Sequence, residues 1–524
     1  MNNSTSLARV VVRQIIESGI TDVVISPGSR NAPLSLAFFA AAQQDLITIH
    51  IRIDERTAAF FALGVIKATG RPVAVVCTSG TAVANYHPAV LEAHHTNAPL
   101  LVLTADRPAM LRRTGANQTT EQARIFGKAV RFFADVDGPV YPMEIPLDSL
   151  RMGPVHLNLQ FDEPLLPDQS NDWASEIVVA PKPFALRAKP GVLRLVGARG
   201  VVVVGHDRGG FSVEEVSEFT KLLGWPVIAE DPLSFPDAIA HASIFLTSQE
   251  IRSTLIPQSV LVIGRTTLSR SINAFIKLSP INYVVDQRIA TVDTDRQADR
   301  IFTAFPTVQG IIQSDDWNSL WKKTAERTKK LVADLDGWNE PVIARTIAAS
   351  IPNDTAFFVS SSRPIRDLEG FALPRSGVTT YANRGLAGID GNISTALGIA
   401  YAHESTIAVL GDLAFLYDLT GLINKEEINC RFFVINNDGG GIFSTLPQRG
   451  AEGFETVFGT PHGLNPAQIA ASMGIDAQQI SSIKELESQL KAPIVGVSVV
   501  VCDVPDRESN ADNLKAIYDS LNSM

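Results

Sequence analysis

Residues 406–447 read TIAVLGDLAFLYDLTGLINKEEINCRFFVINNDGGGIFSTLP. An apolar run, Thr406–Leu410, stops at Gly411-Asp412, and a helix-like segment follows. A second apolar run, Arg431–Ile435, stops at Asn436-Asn437-Asp438-Gly439. Two buried strands around a helix form a βαβ unit of a parallel sheet, and ligands bind outside the carboxyl ends of such strands. The pattern predicts Asp412 and Asn437 side by side at that edge, although they lie far apart in sequence. A carboxylate, an amide oxygen and a nearby main-chain carbonyl make a hard-oxygen set. Such a set suits Mg²⁺ or Mn²⁺ shared with substrate phosphates. Gly-Asp or Asn-Asp-Gly alone is ordinary turn chemistry at a strand end. The pair at this spacing is what carries the chemistry.

The chain around this stretch has 524 residues, too many for one core, and about three domains of ~150 residues each are expected. Apolar residues make up 45% and charged residues 19%, ordinary values for an α/β protein. A net charge of −10 argues against nonspecific nucleic-acid binding, which needs clustered Lys and Arg. No apolar run approaches the ~18 residues of a membrane span. The start, MNNSTSLARVVVRQIIESG, reads as a polar leader entering an amphipathic helix and not as a signal peptide, so a cytoplasmic protein is expected. Cys77, Cys430 and Cys502 each lie in or beside an apolar run and are expected to be reduced, structural thiols. His94-His95 falls late in a helical segment and reads as structural.

Outward from the opening stretch, the rest of the chain divides into α/β units. In residues 1–180, strand-like runs at Asp22–Ile25, Ile47–His50, Val73–Cys77, Leu100–Leu103 and Val155–Leu159 alternate with helical stretches. That grammar predicts a doubly wound parallel sheet. A Pro- and Asp-rich passage, Glu163–Gly191, reads as a linker. Residues 190–335 open with a strand ending in the Gly-rich turn Gly205–Gly210. Its spacing is not G-x-G-x-x-G, so an architectural unit is expected in preference to a dinucleotide site. A charged helix over Trp317–Asp336 leads to the last unit, 340–524, with a late strand Ile494–Cys502 and a terminal helix Asn510–Leu521.

Several motifs sit where strands end. Asp54-Glu55-Arg56 follows the second strand and starts a helix over Thr57–Lys67, where acidic residues are favourable in any protein. Ser26-Pro27-Gly28-Ser29-Arg30 follows the first strand, Thr78-Ser79-Gly80 the third, and Asp106-Arg107-Pro108 the fourth; Gly115-Ala116-Asn117-Gln118 comes soon after. In the last unit, Ser360-Ser361-Ser362-Arg363-Pro364-Ile365-Arg366 precedes Asn383-Arg384-Gly385. Arg30, Arg107, Arg366 and Arg384 thus stand at strand ends or in the loops after them. Arg is suited to bidentate carboxylate recognition. One such Arg is commonly structural; four on the same edges imply substrates with several carboxylates.

These motifs together resemble the thiamine-diphosphate enzymes, most closely the branch acting in menaquinone biosynthesis. The resemblance covers essentially the whole first and last units and the middle one more thinly. It implies three doubly wound parallel-sheet domains: pyrimidine-binding (1–180), middle (190–335), and diphosphate- and metal-binding (340–524). The family usually carries Gly-Asp-Gly; Leu413 in the third place belongs to this branch. By resemblance the catalytic residues are Glu55, Ile389, Arg30, Gln118 and Arg384. Glu55 would bond the aminopyrimidine ring and Ile389 support the bent cofactor. Thr78, Ser79, Gly80, Gly411, Asp412, Leu413, Asn437, Gly440 and Ile442 would complete the cofactor site, with Asp412, Asn437 and Gly439 on the metal. Ser29, Arg30, Arg107, Asn117, Gln118, Ser362, Arg366 and Arg384 would face the substrates, and Phe443 and Leu446 would form an apolar wall. Arg270 matches a substrate-contacting basic residue, beside Ser269 where some relatives carry Lys.

The reaction so implied is decarboxylation of 2-oxoglutarate and conjugate addition of the resulting carbanion equivalent to isochorismate. It is expected in a homodimer or dimer of dimers, because family members build each site from two subunits. A simple 2-oxoacid decarboxylase or an acetolactate-type synthase is the nearest rival, and the arginine set argues against it. A non-catalytic nucleotide- or flavin-binding protein using Gly205–Gly210 is a rival of another kind, opposed by Glu55, Asp412 and Asn437 together.

Overall fold

A computed structural model of the chain describes residues 2–138, 144–167, 172–175, 177–179, 189–195, 197–288, 297–310 and 314–521. Most of the second half of the expected linker lies outside these residues. The first sheet contains β1 (Asp22–Ile25), β2 (Thr48–Ile51), β3 (Val73–Cys77), β4 (Leu100–Asp106), β5 (Phe132–Asp137) and β6 (Val155–Gln160). Its order is β2-β1-β3-β4-β6-β5, with every pairing parallel. Strands β1, β3 and β4 are buried along their whole length. Strands covered on both faces read as continuous apolar runs, which is why the sequence announces them.

The middle region holds β7 (Val192–Arg194), β8 (Gly200–Val204), β9 (Val227–Ala229), β10 (Ser259–Ile263), β11 (Asn282–Val285), β12 (Arg300–Phe302) and β13 (Thr307–Gln309). Five of these form a parallel sheet, β12-β11-β10-β8-β9, while β13 pairs with β7. The Gly205–Gly210 turn is filled by the chain itself. A Cβ at Gly205 would lie 1.8 Å from the Arg265 carbonyl oxygen, and Arg288 pairs with Asp207 and Asp286 against the turn.

The third sheet contains β14 (Ala356–Val359), β15 (Thr379–Tyr381), β16 (Thr406–Gly411), β17 (Cys430–Asn436), β18 (Asp476–Ile480) and β19 (Val497–Asp503), in the order β15-β14-β16-β17-β19-β18. Counted from its own first strand, this is the order of the first sheet. The motif-bearing loops therefore occupy matching places: after the first strand Ser26–Arg30 and Ser360–Arg366, and after the third strand Thr78–Gly80 and Gly411-Asp412. No helix among the described residues is long and apolar enough to cross a membrane.

Packing divides the chain into two compact units. The first comprises Met1–Leu186, Gly385–Glu404 and Tyr417–Ile428; the second comprises Arg187–Arg384, Ser405–Leu416 and Asn429–Met524. Two segments of the last third thus pack with the first unit, which a division at residue 340 does not anticipate. In the first unit the helix Glu55–Thr69 crosses the helix Asn392–Ala400 at two glycines. A Cβ at Gly64 would lie 2.2 Å from the Thr395 carbonyl oxygen, and one at Gly398 2.1 Å from that of Phe61. Only residues without a side chain let the two backbones come this close. The segment Tyr417–Ile428 is held by His50, whose ring lies 3.2 Å from both Asp22 and Glu426.

Candidate active site

In the first unit the loop after β1 folds onto the loop after β3. A Cβ at Gly28 would sit 2.3 Å from the Thr78 Cβ, and the Arg30 amide donates to Thr78 Oγ1 at 3.3 Å. Gly80, at φ 86°, turns the chain into the helix Thr81–Asn85 and gives its amide to Gln122 Oε1. Arg107 Nη1 donates to Ser79 Oγ and to the Gln118 carbonyl, each at 2.7 Å, and Ser79 Oγ donates to the same carbonyl at 2.9 Å. Beneath lies a buried polar network in which Gln122 and Thr104 donate to Asn158, and Asn158 donates to Asp106 and Asp135. Arg112 bridges the same two carboxylates. A satisfied network of this kind fixes the loop above it.

Arg30 reaches the Phe161 carbonyl at 3.0 Å and Glu163 at 3.5 Å. Burial and then the neighbouring Arg107 charge act against the charge on Arg30 and lower its pKa. Two neighbouring guanidinium groups are suited to recognising an anion. Ser29, Asn117 and Gln118 are exposed beside them. Glu55 begins its helix behind the Asp54 cap and receives Asn85 Nδ2 at 3.4 Å. Burial, with Glu55 among the nearby charges, pushes the Cys77 thiol and the Tyr86 hydroxyl up. The Ile389 loop belongs to this unit. Glu92 accepts the amides of Gly385 and Leu386, both at 2.8 Å, and Ile389 stays 37% exposed. A Cβ at Gly391 would overlap the Phe60 ring, so the loop cannot shift over that helix.

The second unit brings Asp412 and Asn437 to adjacent strand ends, since Gly411 pairs with Ile435 across β16 and β17. Asp412 is 3% exposed and accepts the amides of Leu413 at 2.7 Å and Gly439 at 2.8 Å. Its Oδ2 also faces His462 Nε2 at 3.2 Å, and burial raises its pKa. Asn437 is buried; its Nδ2 donates to Glu340 at 2.7 Å, while its Oδ1 has no partner among the described residues. Gly439 and Gly440 run so close to the turn Glu455–Gly459 that a Cβ on either would lie 2.2 Å from a carbonyl oxygen. By contrast a Cβ at Gly411 would meet nothing within 4 Å among the described residues. No group of three or more His, Cys, Asp or Glu among the described residues could hold a metal. The available donors are instead one buried carboxylate, one orphaned amide oxygen and a main-chain carbonyl, which fits a hard divalent cation sharing its shell with phosphate.

The substrate-facing candidates of this unit divide into two settings. Arg366 donates to the Ser362 carbonyl at 2.5 Å and has no carboxylate partner among the described residues; Ser362 itself sits at φ 76°. Arg384 is buried against Glu230, which also accepts the amides of His206 and Leu268. Beside this pair burial, with the Glu230 charge second, pushes the Glu369 carboxyl well above its usual range. Leu413, Ile442, Phe443 and Leu446 are half-buried, with Phe443 packed on Phe458 at 5.5 Å. Arg270 lies exposed at the start of the helix Arg270–Ile276, and Ser269 caps that helix by accepting the Ile272 amide.

Sequence comparison fits this geometry. Residues 5–125 match the family described as thiamine pyrophosphate enzyme, N-terminal TPP binding domain. Residues 168–359 match its middle domain and residues 370–504 its C-terminal TPP binding domain. The 2-succinyl-5-enolpyruvyl-6-hydroxy-3-cyclohexene-1-carboxylate synthase of Thermobifida fusca is 38% identical, over 99% of this chain and 99% of its own. Proteins of the same name from Nocardioides sp. and Bacillus cytotoxicus are 37% and 34% identical, each over 95% of this chain. The chain belongs to this family of thiamine-diphosphate-dependent synthases.

Four residues in contact with the candidate site escape a reading of the sequence: Glu92, Glu230, Glu340 and His462. Each holds a motif residue through a contact between segments distant in the chain. The one local signal is the placement of Glu340 behind Asn339, at the start of a helix opening the last unit.

Proposed function

We propose that the protein decarboxylates 2-oxoglutarate and adds the resulting four-carbon unit to isochorismate, giving 2-succinyl-5-enolpyruvyl-6-hydroxy-3-cyclohexene-1-carboxylate and CO₂. The name of its full-length relatives supports that reaction. One observation carries the choice of substrates: Arg30, on the loop bonded to Thr78, and Arg107, bonded to Ser79 and the Gln118 carbonyl, bring two guanidinium groups to one pair of touching loops. A pyruvate-type substrate needs no such pair, whereas two multiply charged acids do.

Thiamine diphosphate, when bound, supplies the electron sink that makes loss of CO₂ from a 2-oxoacid possible. Asp412, Asn437 Oδ1 and the Gly439 carbonyl would hold Mg²⁺ or Mn²⁺, and through it the diphosphate. Glu55 would exchange a proton with the pyrimidine ring, and Ile389 would support the bent cofactor. Arg30, Arg107, Arg366 and Arg384 would orient the substrate carboxylates, work that removes the entropic barrier to bringing two anions together. Gln118, Asn117, Ser29 and Ser362 would add neutral hydrogen bonds, while Phe443 and Leu446 exclude water. Each site would be built from two subunits of a cytoplasmic homodimer or dimer of dimers.

The test is to supply purified protein with thiamine diphosphate, Mg²⁺ and 2-oxoglutarate, with and without isochorismate, following CO₂ and the mass of the adduct. Adduct and CO₂ in equal amounts are expected only when both acids are present. Equal turnover of pyruvate, or no adduct, would sink the reading.

A further inference from the structure

Asn437 presents a chemical ambiguity that its surroundings resolve. An amide side chain can turn its oxygen or its nitrogen toward a neighbour, and the two differ only in hydrogen bonding. Here the neighbour is Glu340, 2.7 Å from Asn437 Nδ2 and itself 7% exposed. Its side chain also faces Arg363 Nε at 3.5 Å, and its place in the first turn of the helix Glu340–Ser350 favours negative charge. The contact is one in which Asn437 Nδ2 donates and Glu340 Oε1 accepts. The amide must therefore give Glu340 its NH₂ group and turn Oδ1 the other way. That oxygen is buried and has no partner among the described residues, two residues before Gly439, whose amide donates to Asp412.

We infer that Glu340 is a positioning residue of the metal centre, which locks the Asn437 amide so that Oδ1 is presented to the divalent cation. The inference rests on the metal reading above and adds to it a residue that touches neither metal nor diphosphate. Such partners fix ligand orientation, and losing one typically costs ~10–100-fold in metal affinity. Glu340→Gln keeps volume but can turn its own NH₂ toward Asn437, which would then rotate its oxygen inward and its NH₂ toward the cation. Exchanging donor and acceptor should reverse the damage. In Glu340→Gln/Asn437→Asp, the Gln NH₂ donates to one Asp oxygen and the other oxygen is left for the metal.

The experiment titrates Mn²⁺ into full-length protein with saturating thiamine diphosphate and reads free Mn²⁺ by electron paramagnetic resonance. Four proteins are compared: wild type, Glu340→Gln, Asn437→Asp and the double variant, with Asn437→Ala as a reference. Glu340→Gln should bind Mn²⁺ ~10–100-fold more weakly, and Asn437→Asp, which faces two carboxylates toward each other, should also bind weakly. The double variant should return to within a few-fold of wild type. Wild-type affinity in Glu340→Gln, or a double variant no tighter than Glu340→Gln, overturns the inference. Should Glu340→Gln fail to fold, a double variant no tighter than Asn437→Asp overturns it as well. Wild-type affinity in Asn437→Ala would instead remove the metal reading itself.

Discussion

Arg384 holds Glu230 side-on, with Nε and Nη2 at 3.2 and 3.0 Å from its two oxygens and both side chains at most 4% exposed. Nη1 stays outside the pair. A substrate-binding role for Arg384 therefore operates on a guanidinium already neutralised and fixed in direction. Glu230 accepts two main-chain amides as well, so it is anchored before it meets the arginine.

Breaking a buried pair by removing one partner leaves the other charge uncompensated and costs about 3–5 kcal/mol. Glu230→Gln and Arg384→Gln should each lower the urea midpoint by a corresponding amount. The double variant should lose much less than the two effects added. Strict additivity would mean that the two side chains are not energetically coupled.

Ser362 occupies φ 76°, ψ −126°, a region that side chains avoid, and its hydroxyl makes no capping bond to the helix that follows. Strain of this kind costs about 1–3 kcal/mol and persists where function requires it. Ser362→Gly relieves it, less about 0.4–1 kcal/mol for the freer unfolded chain. The variant should be about 1 kcal/mol more stable in urea, yet use 2-oxoglutarate or isochorismate up to ~10-fold less well for want of a hydroxyl hydrogen bond. A destabilised variant with normal kinetics would contradict both halves.

His50 is fully buried between Asp22 and Glu426. Burial opposes its charge, but hydrogen bonds to the two carboxylates outweigh that and raise its pKa. Its contribution to stability is thus fully present below the unfolded value of 6.5 and is lost as pH rises through the raised folded value. The two carboxylates are lowered in turn, with burial opposing and the bonds to His50 favouring the shift, so their share is lost only in acid. The stability gap between wild type and His50→Gln, from urea unfolding at a series of pH values, should be widest between about pH 5 and 6.5 and narrow above. A gap that widens toward alkaline pH would refute the charged pairing.

The sequence announces what local burial dictates and stays silent on what distant contact supplies. Fully covered strands such as Val73–Cys77 spell themselves as apolar runs, and the two runs around Gly411 are enough to set Asp412 beside Asn437. Strand β4 runs on through Thr104-Ala105-Asp106 because Asn158 satisfies these polar side chains, an arrangement no local pattern reveals. Strand β5, FFADVD, is a half-exposed edge and carries two carboxylates, so it reads as loop. Glu92, Glu230, Glu340 and His462 act on partners 293, 154, 97 and 50 residues away. Spacing alone cannot find such pairs.

The proposed function assigns cofactor activation and substrate recognition to separate residues, and hydrogen–deuterium exchange at C2 of bound thiamine diphosphate, without substrate, tests that division most directly. Glu55→Gln keeps size and helix position but cannot share a proton with the pyrimidine ring, so exchange should slow by orders of magnitude. Arg366→Ala removes only a charge-assisted bond worth about 1.5–3 kcal/mol to a substrate carboxylate; its exchange should match wild type while substrate use falls roughly 10–100-fold. Wild-type exchange in Glu55→Gln, or exchange lost equally in Arg366→Ala, would contradict this division of roles.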